Sequence, residues 1–344
     1  MTTTQRTLIL GGTSWLGGSM ARLARERGHQ VTCLARGESG PVPEGVTLVA
    51  ADRWEESAYD GVAGQDWDAV IEVSWQPELV RSALTALAER ADHWTYVSSC
   101  SVYSDGSTPG ADEIAETLEP WSGSGLVTIE EYGPAKVSCE AACTAAIPAD
   151  RLLIARAGLI AGYGDRSDRF GYWPGRFASA SARDGVVLMP SMQSPVQVID
   201  VEDLAVWLIS APEAGTVGIF DAVGEALTFA DLVSECATAS KKELTCAVAE
   251  PEWLLEQGVA PWAGPDSLPL WLPMPEAAGV LNRRNDAATK AGLRLRSLAD
   301  TVRGALAWER ELGLDRSPRK AGLRPEREVE LVTMLLGGAV DLDL

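Results

Sequence analysis

Residues 7–18 read TLILGGTSWLGG, a short apolar segment followed by a glycine-rich turn and then by helical spacing. Thr7–Leu10 predicts a buried strand, and the pattern from about residue 15 to residue 27 predicts an amphipathic helix. Glycine at positions 11 and 12 lets the chain turn tightly, and Gly17 lets the helix pack close to the strand. The free N–H groups and the positive dipole at the start of such a helix attract a pyrophosphate.

The turn differs from the common G-x-G-x-x-G pattern, because Ser14 stands in place of the middle glycine and the bulky Trp15 follows it. The Ser14 hydroxyl can itself donate to a phosphate, although the backbone approaches less closely there. A glycine turn that binds no ligand is the alternative, but its position at the head of several strand–helix units favours binding. The residues predicted to contact a dinucleotide in this turn are Gly11, Thr13, Ser14, Trp15, Leu16 and Gly17.

Short apolar runs alternate with helical patterns through residues 1–160. Further strands are predicted at residues 30–35, 46–50, 68–73, 94–98 and 151–157, with helices at 77–91 and about 129–146. This alternation predicts an α/β fold with a Rossmann-type, doubly wound parallel sheet. Residues 161–344 are predicted to form mainly a smaller substrate-binding lobe with C-terminal helices, and strands near 196–220 to return to the first domain.

Composition narrows the class of protein. The 344 residues carry 29 Lys and Arg against 49 Asp and Glu, a net charge of −20. Such a surface repels phosphate backbones and anionic lipids, so neither nucleic acid nor a membrane is an expected partner. No apolar run reaches the roughly 18 residues of a membrane span, and the N-terminus shows no cleavage-site pattern. A cytoplasmic protein is therefore expected.

Cysteine and histidine are sparse. The six cysteines are scattered without a CxxC pair, and we expect them to be reduced core or surface residues. His29 and His93 are the two histidines, and neither has a second histidine near it in sequence. No metal site is predicted, and a Ser-His-Asp mechanism is disfavoured.

The end of the second predicted strand bears on which dinucleotide is bound. An NAD site commonly places an acidic residue there for the ribose 2′-hydroxyl, but this strand ends in Ala35-Arg36-Gly37. The donor fork of Arg36 suits a 2′-phosphate and favours NADP, although nearby Glu38 leaves NAD open and Arg36 could be a solvated cation. Asp52 is expected to bind the adenine amine or to be an ordinary turn aspartate, and Ser74 to line the ribose.

Tyr132 and Lys136 stand four residues apart in YGPAK, which places both on one face of the predicted helix. A tyrosine is a poor acid or base at neutral pH, and a neighbouring ammonium stabilises the phenolate. The pair alone is common by chance as an exposed helix pair. Upstream, however, residues 96–103, YVSSCSVY, bring hydroxyl groups to the carboxyl edge of the sheet, where ligands bind in such folds. The glycine-rich turn, the hydroxyl groups at the end of the fifth strand and the Tyr–Lys pair together predict a catalytic site.

With these motifs the sequence resembles the short-chain dehydrogenase/reductase superfamily, and within it the extended or atypical NAD-dependent epimerase/dehydratases. The resemblance covers roughly the first 210 residues and rests on GGTSWLG, SSCSVY, YGPAK and the later PVQVIDVEDLA. It implies that Ser99 positions the substrate oxygen and that Tyr132 donates or accepts the proton. Lys136 falls on the family's lysine, the partner of that tyrosine. The resemblance also implies a homodimer through the helices at 77–91 and 129–146.

The substrate side is predicted after the sixth strand, where residues 165–176 read DRSDRFGYWPGR. Arg169 and Arg176 are candidates to bind a phosphate or carboxylate of the substrate, with Trp173 stacking on a ring. The equally weighted alternative is that the two aspartates of this segment neutralise the arginines while the aromatic residues pack the lobe.

The sequence thus favours an NADP-dependent oxidoreductase or epimerase, with NAD possible, acting on a secondary alcohol or ketone. A nucleotide sugar or another natural-product carbonyl compound is the expected small-molecule substrate. The alternative is a protein of the same fold without turnover, either an NADP-binding sensor or a nucleic-acid-binding relative. The acidic charge and the presence of Ser99, Tyr132 and Lys136 weigh against that alternative.

Overall fold

The computed structural model describes residues 4–179, 185–242 and 244–337. The strands within these ranges are β1 (Arg6–Leu10), β2 (Gln30–Ala35), β3 (Thr47–Ala50), β4 (Ala69–Glu72), β5 (Trp94–Ser99), β6 (Leu152–Ala157), β7 (Leu159–Ala161), β8 (Val186–Met189), β9 (Pro195–Val196), β10 (Val198–Asp200), β11 (Gly218–Ala222), β12 (Leu227–Thr228), β13 (Thr245–Val248), β14 (Ala260–Trp262), β15 (Gly264–Pro265), β16 (Ser267–Pro269) and β17 (Ala321–Gly322). The helices are α1 (Trp15–Glu26), α2 (Pro77–Leu87), α3 (Tyr132–Ala146), α4 (Arg169–Ala178), α5 (Val201–Ala214), α6 (Phe229–Ser240), α7 (Pro251–Glu256), α8 (Asp286–Lys290), α9 (Leu298–Leu312) and α10 (Pro325–Leu335).

A seven-stranded sheet in the order β11-β6-β5-β4-β1-β2-β3 forms the centre of the molecule, and its neighbouring strands are all parallel. From β1 the chain builds outward through β2 and β3, and then returns to build the other half from β4. The strand order therefore reverses between β1 and β4, and in such sheets the ligand crevice opens at this point, beyond the carboxyl ends. The predicted doubly wound α/β fold is confirmed.

Helices cover both faces of this sheet. Within β1, Ile9 packs with residues of α1 and α5, whereas Leu8 and Leu10 pack with residues of α2 and α3 on the opposite face. All three side chains are fully buried. The alternation follows from the two-residue period of a strand, and a strand covered on both sides must be apolar throughout. This is why TLIL is a continuous apolar run.

The C-terminal half forms a lobe with its own core, to which α4, α6, α9 and α10 contribute. Trp173, Phe229 and Trp271 are among its fully buried large side chains. β11 leaves this half to pair with β6 at the edge of the main sheet, so both halves contribute strands to it. The division of the chain at residue 160 stays a prediction.

Neither a membrane-spanning helix nor a metal-binding cluster occurs among the described residues. No helix among them is long and apolar enough to cross a membrane. No group of three or more His, Cys, Asp or Glu side chains within the same ranges is arranged to hold a metal ion. The six cysteines are free thiols, and four of them are buried.

Burial lowers the pKa of His93, which is 6% exposed and whose Nε2 lies 2.9 Å from the Thr216 carbonyl oxygen. In the unfolded chain this residue takes up a proton near pH 6.5, but the folded chain resists protonation. Stability contributed by the neutral ring is therefore present above pH 6.5 and is lost as the pH falls below it. His93→Gln keeps an amide donor that does not titrate, so we expect its free energy of unfolding to depend less on pH.

Urea denaturation at about pH 7.5 and about pH 5.5 measures this difference, which has a ceiling of about 1.4 kcal/mol per pH unit. Wild type and His93→Gln losing stability in parallel over this range would contradict the prediction.

Candidate active site

The glycine-rich turn connects the end of β1 to the start of α1. Gly11 has a φ of +94°, a left-handed conformation that L side chains rarely adopt, and its N–H donates to the Leu34 carbonyl at 2.9 Å. Ser14 is the N-cap of α1, where its hydroxyl accepts the N–H of Gly17 at 3.2 Å. The N–H groups of Trp15 and Leu16 lie in the first helical turn, where no intrahelical acceptor exists.

The turn leaves no room for side chains at its glycines. A Cβ at Gly12 would lie 2.2 Å from the Cys33 sulfur, and one at Gly17 would lie 2.3 Å from the Gly11 carbonyl oxygen. Bare backbone therefore forms a cradle at the N-terminus of α1. Such a cradle, with its free N–H groups and positive dipole, fits a pyrophosphate.

Trp15, the unusual residue of this turn, has its indole anchored on the loop after β7. Its Nε1 donates to the Tyr163 carbonyl at 2.9 Å, and a Cβ at Gly164 would come within 2.8 Å of that nitrogen. The indole thus ties the glycine-rich turn to the segment that leads into the lobe.

The ends of β2 and β3 carry the residues predicted to select the dinucleotide. Arg36 is an exposed side chain, and its Nη2 lies 3.1 Å from Glu38 Oε2. Asp52 uses its carboxylate to accept the N–H of Trp54 at 3.1 Å, as a turn aspartate does. Both side chains lie beyond the carboxyl ends of these strands, on the side of the sheet where the glycine turn lies.

A buried ion pair that the sequence reasoning missed lies beneath this region. Glu72, the last residue of β4, is fully buried and accepts two hydrogen bonds from Arg53, whose side chain is 8% exposed. Arg53 also donates to the Leu79 carbonyl at 2.7 Å, which joins β4 to α2. The sequence does carry a signal for this pair, because Glu72 is a charged residue in the otherwise apolar strand AVIE and a buried charge needs a partner.

Ser74 follows β4 and acts mainly through its backbone. Its carbonyl oxygen accepts the Tyr96 hydroxyl at 3.1 Å and the Lys136 ammonium at 3.2 Å. Its own hydroxyl accepts the N–H of Gln76 at 3.1 Å. Ser74 therefore helps to fix the position of Lys136.

The two serines at the end of β5 face different surroundings. Ser98 is buried and donates to Glu140 at 2.5 Å, inside the structure. Ser99 is half-buried, and its hydroxyl accepts the N–H of Ser101 at 3.1 Å while lying 3.1 Å from the Ser101 hydroxyl. Ser99 is thus the serine with its hydroxyl at the crevice.

Tyr132 is the first residue of α3, next to the turn that carries Ser99. A Cβ at Gly133 would lie 2.4 Å from the Ser101 carbonyl oxygen, so only glycine lets the start of the helix approach this turn. The Tyr132 ring packs edge-on against Trp75, with centroids 5.4 Å apart. Trp75 and Gly133 are site residues that the sequence reasoning did not single out, although both adjoin predicted ones.

Lys136 lies one helical turn further on and is only 2% exposed. Its ammonium donates to the carbonyls of Val97 at 2.6 Å and Ser74 at 3.2 Å. The same nitrogen lies 4.8 Å from the Tyr96 ring centre and 6.0 Å from the Tyr132 ring centre. A fixed positive charge therefore sits between the ends of β4 and β5, behind the tyrosine.

On the lobe side, Arg169 begins α4. Its guanidinium lies 5.3 Å from the Trp262 ring centre. Burial lowers the pKa of the Arg169 guanidinium. Arg169 is thus half-buried beside Trp262 at the start of α4.

The other two predicted substrate residues lie elsewhere. Trp173 is fully buried in the lobe core, where its Nε1 donates to the Pro269 carbonyl at 2.9 Å. Arg176 is 8% exposed and donates to the carboxylate of Glu328. Helical periodicity alone places all three residues on one face of α4, so the difference comes from the partners that Trp173 and Arg176 meet within the lobe. Trp173 and Arg176 therefore have the surroundings of residues that stabilise the lobe, not of residues that bind a substrate.

Taken together, a glycine cradle at the head of a parallel sheet and a Ser, Tyr and Lys cluster at its carboxyl edge define the class of Rossmann-type dinucleotide-binding proteins. The model of the NAD dependent epimerase/dehydratase family matches residues 7–219, and the chain belongs to this family. The resemblance inferred from the motifs is confirmed. Among curated proteins, none matches the sequence significantly.

Several solved structures, among them two named as epimerases, share the fold. A putative epimerase from Burkholderia cenocepacia is 19% identical, with a TM-score of 0.67 over 89% of this chain and 98% of that one. The Bordetella bronchiseptica enzyme WbmH, in complex with NAD+, is 15% identical, with a TM-score of 0.66 over 90% and 100%. UDP-glucuronic acid 4-epimerase from Bacillus cereus, in complex with NAD, is 15% identical, with a TM-score of 0.62 over 89% and 99%.

The cradle yields a prediction from two adjacent glycines of α1. At Gly17 a methyl group would meet backbone oxygen, so we expect Gly17→Ala to lower the free energy of unfolding by about 1–3 kcal/mol. At Gly18 the nearest atom to an added Cβ is 3.8 Å away. Gly18→Ala is therefore expected to stabilise the protein by up to about 1 kcal/mol through helix propensity. Urea denaturation of both variants measures these effects, and equal stabilities would contradict the steric argument.

Proposed function

We propose that the protein is an NAD(P)-dependent oxidoreductase or epimerase that acts on a secondary alcohol or ketone. The observation that carries the proposal is the cluster at the carboxyl edge of the sheet. There Tyr132 begins a helix beside the Ser99 turn, with the buried Lys136 ammonium 6.0 Å from the phenol ring. This arrangement supports proton transfer by the Tyr132 phenol.

The cofactor proposed is a nicotinamide dinucleotide. The bare glycine turn and the uncapped N–H groups of Trp15 and Leu16 support a pyrophosphate there. When bound, the nicotinamide would accept or supply a hydride at its C4 atom. NADP is favoured by Arg36 at the end of β2, while NAD is supported by the family and by the NAD present in two of the related structures.

The residues of this chain handle the proton. In the direction of oxidation, Tyr132 would take the proton of the substrate hydroxyl, and the hydride on the carbon that bears this hydroxyl would pass to the nicotinamide. In reduction, the hydride would return from the nicotinamide to that carbon, and Tyr132 would return the proton to the carbonyl oxygen. Ser99 holds that oxygen through its hydroxyl. Lys136 holds its side-chain nitrogen 6.0 Å from the Tyr132 ring centre. It uses two of its three N–H donors on carbonyls, which leaves one for a ribose hydroxyl.

The proposed substrate is a small molecule, either a nucleotide sugar or another natural-product carbonyl compound. One related structure is named as a UDP-glucuronic acid epimerase, which supports the first. The half-buried aromatic rings of Trp75 and Trp262 at the crevice suit an apolar substrate and support the second. The homodimer through the helices at 77–91 and 129–146 stays a proposal that rests on the family resemblance.

The prediction that tests this proposal is the loss of turnover in Tyr132→Phe. Removing the phenolic oxygen removes the proton donor, so we expect activity to fall by about 10²–10⁴-fold. The measurement is the loss of NADPH or NADH absorbance with a panel of carbonyl compounds.

Tyr163→Phe is the matched control, because Tyr163 is exposed and, within the part of the chain that the structure describes, its hydroxyl is bonded only to Glu311. It is expected to retain wild-type activity. Full activity in Tyr132→Phe would overturn the mechanism, and a wild-type protein that binds the dinucleotide without turnover on any compound would favour the sensor alternative.

Cofactor choice gives a second prediction. We expect Arg36→Ala to weaken NADPH binding at least about tenfold, because a charge-assisted pair with the 2′-phosphate is lost, while NADH binding is unchanged. Quenching of tryptophan fluorescence by each nucleotide measures both affinities, with Glu38→Gln as the companion variant. Equal NADPH affinity in wild type and Arg36→Ala would remove Arg36 from cofactor selection and leave NAD as the proposed cofactor.

A further inference from the structure

The Ser99 hydroxyl lies in a short turn that follows β5. It accepts the N–H of Ser101 at 3.1 Å, and the N–H of Tyr103 donates to the Cys100 carbonyl at 3.3 Å. Forming a single turn fixes several backbone dihedral angles in return for few hydrogen bonds, which is unfavourable for an isolated segment. The position of Ser99 therefore depends on the contacts that residues 98–103 make with the rest of the protein.

The start of this turn is anchored on the helix that carries Tyr132. Ser98 is 3% exposed and donates its hydroxyl hydrogen to Glu140 at 2.5 Å. Glu140 is itself buried and lies in α3, two helical turns after Tyr132. The last residues of β5 are thus tied to α3 immediately before Ser99.

The end of the turn is anchored on β6 and β11. The Tyr103 hydroxyl donates to Asp221 at 2.6 Å and accepts an N–H of Arg156 at 2.9 Å. The guanidinium groups of Arg156 and Arg283 lie 4.9 Å and 3.4 Å from the Tyr103 ring centre. Tyr103 is therefore held at its hydroxyl and at its ring, four residues after Ser99.

Arg156 connects the two anchors. Its guanidinium donates to the Glu140 carboxylate at 3.0 and 2.7 Å, and its carbonyl oxygen accepts the Cys100 thiol at 3.3 Å. The contacts form one continuous chain of buried side chains, whose members are Ser98, Glu140, Arg156, Tyr103, Asp221 and Arg283. Its two carboxylates balance its two guanidinium groups, so the loss of one member leaves a buried polar group without its partner.

We propose that Ser98 and Tyr103 are positioning residues, which hold the Ser99 hydroxyl at a fixed place relative to Tyr132. This inference rests on the proposed function, in which Ser99 holds the substrate oxygen. Neither residue needs to touch the substrate, because each acts through the turn between them. A hydrogen bond to the substrate oxygen spans only about 2.6–3.2 Å, and a misplacement of about 1 Å can lower a rate by about 10²-fold.

Hydrogen exchange tests whether the two anchors hold the turn. Amide exchange of residues 99–103 is followed by mass spectrometry in the full chain without ligand, for wild type, Ser98→Ala and Tyr103→Phe. Each substitution removes one buried hydroxyl and its hydrogen bonds. Exchange of the amides at positions 101 and 103 is therefore expected to be at least about tenfold faster in both variants.

Tyr59→Phe is the matched control for this measurement. Tyr59 is also buried, and its hydroxyl lies 2.9 Å from the Arg53 Nε and 3.1 Å from the Ser82 hydroxyl, so the substitution removes a comparable set of contacts. Within the described ranges, no hydrogen bond of this hydroxyl reaches residues 98–103. Exchange of residues 99–103 in Tyr59→Phe should equal that in wild type.

A double-mutant cycle tests whether the anchors act through Ser99. With a carbonyl compound that wild type converts and saturating NADPH or NADH, Ser98→Ala and Tyr103→Phe are each expected to lower kcat by about 10–10²-fold without changing dinucleotide affinity. In a chain that already carries Ser99→Ala, the same substitutions should lower kcat by less than about threefold, because the hydroxyl that they position is absent. Purely structural effects would instead multiply.

Unchanged exchange in both variants, or equal losses of kcat with and without the Ser99 hydroxyl, would overturn the inference. If Tyr103→Phe does not fold, Ser98→Ala, which removes one neutral hydroxyl, decides both measurements. Failure of the proposed function is separable from these outcomes. A wild-type chain without turnover would count against the proposed function alone, and the exchange measurement would still decide whether Ser98 and Tyr103 fix the turn.

Discussion

The buried ammonium of Lys136 is the constraint on which the candidate site depends. It joins α3 to the carbonyls of Ser74 after β4 and Val97 in β5, and it lies over the ring of Tyr96. Removing such a charge from water costs several kcal/mol, which hydrogen bonds of about 1.5–3 kcal/mol each and ring contacts must offset. These partners can offset the cost only when both strand ends and the helix are in place. Tyr132 lies four residues before Lys136 on the same helix, so its position relative to the edge of the sheet is fixed as well.

Buried ion pairs connect the lobe to this edge. Arg283 packs its guanidinium 3.4 Å from the Tyr103 ring centre and pairs with Asp221 of β11. On the lobe side, Arg316 bridges Asp168 and Glu309, which fixes the start of α4 and with it Arg169. A buried pair is costly to break, because one charge is then left unpaired. These pairs therefore help to hold β11 and the start of α4 in position.

Local signals were sufficient for the sheet and for placing Tyr132 and Lys136 on one helix. The strand–turn–helix at residues 7–27 and the spacing of Tyr132 and Lys136 depend on neighbours within a few residues, which a pattern can reveal. Pro134 is compatible with the helix, because α3 begins at Tyr132 and places the proline in its first turn. Trp75 and Gly133 were missed because their importance lies in contacts with Tyr132 and Ser101, which come from other elements.

The sequence by itself determined the parallel sheet, the glycine cradle and the order of Ser99, Tyr132 and Lys136, since periodicity and turn chemistry are encoded over short stretches. Only the tertiary structure decided the surroundings of the arginines in residues 165–176. Arg176 pairs with Glu328, which is far along the chain. Asp168 pairs with Arg316 and not with its neighbour Arg169. Charges pair with whichever partner the fold brings within reach, and that proximity is set by packing across the whole molecule.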